Sequence, residues 1–267
     1  MGKSKSMPTR GVIYVATGDR FVAEAEASLA TLRATNPDLT AMLLSGEEVA
    51  SRDLWDEVQV DPVLKEQRNR AKLYMDRAPW ERCLFLDTDT RVCGCLADGF
   101  ALLERFEFAG QHGYGGHHYE VVGLPSSFPE VNSGVLFWRK NDKTKALFAR
   151  WRELYDSLDQ SQETRTWDQK SLRVALWESD VRFVDLPSIY NAMPYFPYVL
   201  ECPLVVAHGR TMKNLERFEK RVGRSAALRA YIPGVGIMNH PREMSWQHLG
   251  KSTIRMLALK LQCALRK

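Results

Sequence analysis

The chain has 267 residues, 45% of them hydrophobic, which is enough to bury a substantial core in one large domain. Its formal net charge of +4 suits an anionic ligand such as a nucleotide and falls short of the dense basic charge of a dedicated nucleic-acid binder. No apolar run approaches the roughly 20 residues that span a bilayer, and the polar start lacks a signal-peptide core, so the expectation is a soluble protein.

Residues 1–10 read as a flexible tail, although Met1-Gly2-Lys3-Ser4-Lys5-Ser6 formally fits a myristoylation pattern. Residues 11–17 read as a buried strand that ends in a Gly18-Asp19 turn, and a helical stretch follows to about Arg33. Residues 40–45 form a second expected strand, entered through the turn Asn36-Pro37-Asp38, and residues 58–60 a short third. A helical stretch at 68–77 then leads through Pro79 into an apolar strand at 83–86. This alternation is the pattern of an α/β domain with a largely parallel sheet, where ligands gather at the carboxyl ends of strands.

Strands are expected next at 106–109 and 134–138, on either side of a loop rich in glycine and histidine. Residues 144–158 read as a helix with Leu147, Trp151, Leu154 and Leu158 on one face, residues 167–177 as another, and 181–184 as a strand. Val205-Val206 leads to His208-Gly209 and a basic helical tail. Residues 11–250 are read as a single domain. Residues 251–267 form a basic amphipathic helix, docked on that domain or making peripheral contact with a membrane. Five cysteines (Cys83, Cys93, Cys95, Cys202 and Cys263), an odd count without a Cys-x-x-Cys pair, read as reduced thiols in a cytoplasmic setting.

The chemistry concentrates at Leu86-Asp87-Thr88-Asp89-Thr90, where the apolar run stops at two carboxylates spaced i, i+2. On an extended strand end that spacing points Asp87 and Asp89 to one side and Thr88 to the other. Two ionised carboxylates held that close repel, and a divalent cation that also bridges to a phosphate is an economical reason to tolerate them. The competing reading is an Asp-rich turn after a buried strand. Three more segments carry candidate residues. Residues 130–137 place Asn132, Ser133 and Gly134 directly before an apolar strand, where glycine lets the backbone approach a ligand. Trp167-Asp168-Gln169 opens a helix, a position where a carboxylate also serves as an ordinary N-cap. His208 ends an apolar strand, a place where a histidine is as readily structural as a ligand.

Read in order, these pieces resemble the glycogenin and bacterial galactosyltransferase type of retaining, metal-dependent glycosyltransferase, with its Asp-x-Asp motif. The resemblance runs through Tyr14-Val15-Ala16-Thr17-Gly18-Asp19, Ala71-Lys72-Leu73, Leu86-Asp87-Thr88-Asp89-Thr90 and Val131-Asn132-Ser133-Gly134. It continues through Trp167-Asp168-Gln169, Leu186-Pro187, Tyr190-Asn191 and His208-Gly209, across about 200 residues. The fold it implies is GT-A, a Rossmann-like nucleotide-diphospho-sugar transferase with a mixed, mainly parallel sheet flanked by helices.

By the same resemblance, Asp87, Asp89 and His208 are metal ligands for Mn²⁺, or for Mg²⁺, and the histidine favours manganese. Val15, Thr17, Gly18 and Phe21 line the nucleotide base, Thr88 sits by the ribose, and Lys72 offsets phosphate charge. Ser133, Gly134, Gly209 and Lys213 complete the donor site, while Asn132, Asp168 and Gln169 face the sugar as catalytic residues. The implied activity is hexose transfer from a UDP-sugar, with retention, to an acceptor hydroxyl on a saccharide or lipid-linked glycan. Hydroxymethylated DNA is an alternative acceptor suggested by the positive charge, and a nucleotidyltransferase of similar fold is an alternative enzyme.

Two departures stand out. His208-Gly209-Arg210-Thr211-Met212-Lys213 is spaced differently from the family's segment, which makes Arg210 a rival to Lys213, and Phe21 stands where a tyrosine is usual. The histidine-rich loop at 112–119 reads as an acceptor-facing loop rather than a second metal site. Cys93-Gly94-Cys95 reads as ordinary thiols and the charged run at 217–224 as a solvated helix face.

Overall fold

The computed structural model describes residues 9–113, 121, 123–159, 168–209, 211–222 and 225–239. The expected helix at 251–267, most of the histidine-rich loop, Trp167 and Arg210 lie outside the described residues. The first half of the chain is built on β1 (Arg10–Ala16), α1 (Asp19–Thr35), β2 (Thr40–Ser45), β3 (Glu57–Val60) and β4 (Arg82–Leu86). β1 begins at the last residue of the expected tail. Val12, Ile13 and Tyr14 are wholly buried, as a continuous apolar run requires when both faces of a strand are covered. α1 packs Val22, Ala25, Leu29 and Leu32, spaced at helical intervals, against one of those faces.

The seven-stranded sheet has the order β3-β2-β1-β4-β7-β6-β8, adding β6 (Phe108–His112), β7 (Val131–Arg139) and β8 (Phe183–Asp185). The pairs β3·β2, β2·β1, β1·β4 and β6·β8 are parallel, while β7 runs antiparallel to both neighbours. The sheet is therefore mixed and mainly parallel. α1 and α2 (Ala97–Leu102) cover one face; on the other lie a 3-10 segment, Pro62–Arg77, with α3 (Asp142–Asp159) and α4 (Asp168–Glu178).

Several boundaries differ from those the sequence pattern implies. The helix expected at 68–77 is a 3-10 segment that starts at Pro62, where the Asp61 carboxylate accepts from Val63 N at 3.0 Å. The strand expected at 134–138 begins at Val131, so Asn132, Ser133 and Gly134 lie inside β7 rather than in the loop before it. The short strands β5 (Thr90–Val92), β9 (Tyr198–Leu200), β11 (Arg229–Ile232) and β12 (Gly236–Asn239) show too few alternations to be legible in sequence. β5 pairs antiparallel with β10 (Val206–His208), and β12-β11-β9 form a small sheet over α5 (Met212–Val222). No helix among the described residues is long and apolar enough to cross a membrane. Cys83, Cys93, Cys95 and Cys202 form no disulfide among the described residues.

Candidate functional site

β4 delivers its last apolar side chain at Leu86, and the chain then turns. Asp87 N donates to Gly134 O at 2.8 Å, while Thr90 closes the turn by donating to Asp87 O from both its amide (3.2 Å) and its hydroxyl (2.8 Å). The two carboxylates are therefore presented by a turn rather than by a strand end. β5 leaves this turn alongside β10 with Thr90 opposite His208, and Gly209 N donates to Asp89 O at 3.0 Å. His208 Nε2 comes to 3.3 Å from Asp89 Oδ1 and 3.6 Å from Asp87 Oδ2.

One ligand atom from each of Asp87, Asp89 and His208 lies within 4.8 Å of the others. A divalent cation that binds such atoms at about 2.0–2.6 Å fits between groups so spaced, and the oxygen-and-imidazole donor set suits one.

Lys72, on the 3-10 segment, ties this cluster to α4. Its ammonium lies 3.1 Å from Asp87 Oδ1, 2.9 Å from Asp168 Oδ2 and 3.0 Å from Ser133 Oγ, and the Ser133 hydroxyl donates to the same Asp168 oxygen. Burial disfavours the Lys72 ammonium, but Asp168 and Asp87 outweigh it and hold the group charged. Burial pushes the Asp87 carboxyl above the usual carboxylate range, against the pull of Lys72 and His208. It works against Asp89 and Asp168 too, yet the protonated His208 ring, donating from Nε2, keeps Asp89 low, and Lys72 with Ser133 keeps Asp168 low. His208 is raised by Asp89 and Asp87 against the effect of burial. With His208 neutral, three carboxylates face one ammonium here, a deficit that a divalent cation would close.

A bulge in β7 sets these directions. On the β6 side the pairing jumps from Gly110↔Leu136 to Gln111↔Asn132, while on the β4 side it runs on through Leu86↔Val135. Ser133 and Gly134 are thereby freed from the β6 ladder and turned to opposite tasks. Ser133 meets Lys72 and Asp168, whereas Gly134 lies against the His208 ring, where an added Cβ would come within 2.1 Å of His208 Cε1. The close approach expected at Gly134 is thus made by the imidazole.

No protein-family profile matches the sequence, and no curated protein matches it. Solved structures do. The galactosyltransferase LgtC, crystallised with donor and acceptor sugar analogs, shares 15% identity over 79% of this chain and 94% of its own, with a TM-score of 0.54. GlyE, a glycosyltransferase of Streptococcus pneumoniae TIGR4, shares 19% over 76% of this chain and 55% of its own, with a TM-score of 0.55. Mouse xyloside xylosyltransferase 1 shares 13% over 75% and 97%, with a TM-score of 0.52. The fold is GT-A.

Within the GT-A frame the remaining expected residues fall at three places. Val15, Thr17, Gly18 and Phe21 gather where β1 passes into α1, at the switch point beside the end of β4. Gly18 takes a φ of 89°, and its carbonyl accepts from Phe21 N and Val22 N, which opens the helix; Phe21 is 45% exposed. Thr88 joins this group by donating its hydroxyl to Glu24 Oε2 at 3.3 Å. Gln169 is half-buried on the first turn of α4 beside Asp168. Gly209, with a φ of 134°, passes under Tyr195, and Lys213 is exposed on the first turn of α5.

Sequence reasoning missed Glu24, Asn191 and Tyr195 as members of the site. Asn191 was visible as part of Tyr190-Asn191 but carried no role, since only the packing of β7 and β10 brings it to Asn132 and His208. Glu24 gave no pattern at all, because only the packing of α1 brings it to Thr88.

Proposed function

We propose that this chain is a metal-dependent glycosyltransferase that moves a hexose from a UDP-sugar to a hydroxyl of a saccharide or lipid-linked glycan, with retention of anomeric configuration. The observation that supports it best is the Asp87-Asp89-His208 cluster at the end of β4 in a GT-A fold. A divalent cation bound there, Mn²⁺ for preference given the histidine, would supply Lewis-acid stabilisation of the diphosphate leaving group.

The chain's own residues carry the rest. Val15, Thr17, Gly18 and Phe21 receive the base, and Thr88, backed by Glu24, the ribose. Lys72 is shared by two carboxylates, so its first task is to fix Asp87 and Asp168, and its charge then faces the phosphates from behind them. Asp168, kept ionised by Lys72 and Ser133, orients sugar hydroxyls with Gln169 and balances positive charge growing at the anomeric carbon. In the transfer, the bond from the anomeric carbon to the diphosphate oxygen breaks as the acceptor oxygen bonds on the same face. The acceptor's proton passes to the departing phosphate oxygen. Gly209 and Lys213 flank the diphosphate side, Gly209 through its link to Asp89.

The test is a panel of UDP- and GDP-sugars incubated with Mn²⁺ or with a chelator. UDP release from a UDP-sugar in Mn²⁺ alone, lost in Asp89→Ala, is the expected result. Release that survives both the chelator and Asp89→Ala overturns the proposal, and pyrophosphate formed from a nucleoside triphosphate and a sugar 1-phosphate, with no UDP release from any UDP-sugar, identifies a nucleotidyltransferase. Offering saccharides beside hydroxymethylated duplex DNA assigns the acceptor.

A further inference from the structure

Behind His208 runs a chain of buried amides with one fixed end. The Gly134 N–H can only donate, and it donates to Asn132 Oδ1 at 3.0 Å. The same oxygen accepts from Asn191 Nδ2 at 2.8 Å, so Asn191 turns its own oxygen the other way, to His208 Nδ1 at 2.8 Å. An amide oxygen only accepts, and Nδ1 must therefore carry the hydrogen. Nε2 is left facing Asp89 Oδ1 and Asp87 Oδ2.

The opposite tautomer would require both amides to flip. The last flip would set Asn132 Nδ2 against the Gly134 N–H, leaving two buried donors face to face with no acceptor between them. Water is poorly placed to repair this, since Asn191 is 0% exposed, His208 8% and Asn132 9%. Gly134 thus anchors the chain through its N–H while its missing Cβ leaves room for the ring.

We propose that Asn191 is a positioning residue which, through Asn132 and the Gly134 amide, locks His208 in the Nδ1–H tautomer and so presents Nε2 as the metal-binding atom. Asn132, whose oxygen is committed to this chain, acts in it from behind the metal cluster. The consequence for metal affinity rests on the metal-site reading above, but the tautomer itself does not, so the two are measured separately.

Long-range ¹H–¹⁵N NMR of the metal-free protein, at a pH where the imidazole is neutral, reads the tautomer directly. Wild type is expected to show His208 protonated at Nδ1, and so is Asn132→Asp, whose carboxylate still accepts from both donors. Asn191→Leu should release the lock, showing a mixture or the Nε2–H form. Its Mn²⁺ affinity in calorimetry should fall about 10–100-fold, the range expected when the partner orienting a ligating histidine is lost. An Nε2–H signal in wild type overturns the proposal without any variant having to fold. So does an Asn191→Leu protein with unchanged tautomer and Mn²⁺ affinity. A wild-type protein with the Nδ1–H tautomer but no Mn²⁺ binding would sink the metal-site reading and leave the tautomer lock standing.

Discussion

Two charged clusters occupy opposite ends of the same sheet, and they are balanced differently. At one end Glu107, just before β6, accepts from Arg139 Nη2 at 3.1 Å, Arg182 Nη2 at 2.7 Å and Arg182 N at 2.7 Å. Two guanidinium groups serve one carboxylate, which is 4% exposed and complete within the chain. At the other end Asp87, Asp89 and Asp168 share Lys72 and His208, with Asp87 raised by burial rather than held low. The Glu107 cluster gives its single carboxylate two cations, whereas the Asp87 cluster, with His208 neutral, sets three carboxylates against one ammonium.

Breaking each cluster should give opposite signatures. Asp89→Ala is expected to cut transfer by about 10³-fold or more with only a small fall in the metal-free melting temperature, because it removes the His208 contact that holds Asp89 low together with a like charge beside Asp87. Turnover assays and calorimetric melting of the same preparation check both halves. Adding Mn²⁺ at about 100 times its dissociation constant should stabilise wild type by about 2.7 kcal/mol, and Asp89→Ala by far less, as denaturant titration with and without chelator would reveal.

Glu107→Ala should do the reverse, losing about 2 kcal/mol of stability at neutral pH with Mn²⁺ affinity intact. Arg182, through its guanidinium and its backbone amide, holds the Glu107 carboxyl down at about 2 against the effect of burial. Its contribution is thus fully present above the ordinary glutamate value and disappears as pH falls through about 2. Urea midpoints of wild type and variant should converge at that acidic limit; a gap that persists there would remove the ion pairs from the explanation. The smallest effect concerns Gln111, which pairs with Asn132 at the bulge and is 2% exposed with neither amide atom partnered among the described residues. Gln111→Met should raise stability by about 1 kcal/mol in equilibrium unfolding, since it removes a buried amide without a hydrogen bond.

The strands of the parallel half were legible because each is an unbroken apolar run: 11–17, 40–45 and 83–86 match β1, β2 and β4 to within a residue or so. The extent of β7 was not, because Asn132-Ser133-Gly134 looks like a loop and is a bulge inside a strand whose polar groups bond to Lys72, Asp168, Asn191 and the strand's own backbone. β5 and β10 are too short to show a period, yet they bring His208 to Asp89 across more than a hundred residues of sequence.

The sequence by itself determined the order of the α/β elements and singled out the acidic pair, since these depend on local pattern and residue chemistry, while the histidine, Lys72 and Asp168 took their roles only from the family resemblance. Tertiary structure decided how those groups meet. Lys72 binds two aspartates at once, Gly134 yields its space to an imidazole, and Asn191 faces His208 Nδ1. Each of those relations joins elements far apart in the chain, and hydrogen-bond direction, ring packing and charge balance exist only once the sheet has brought them together.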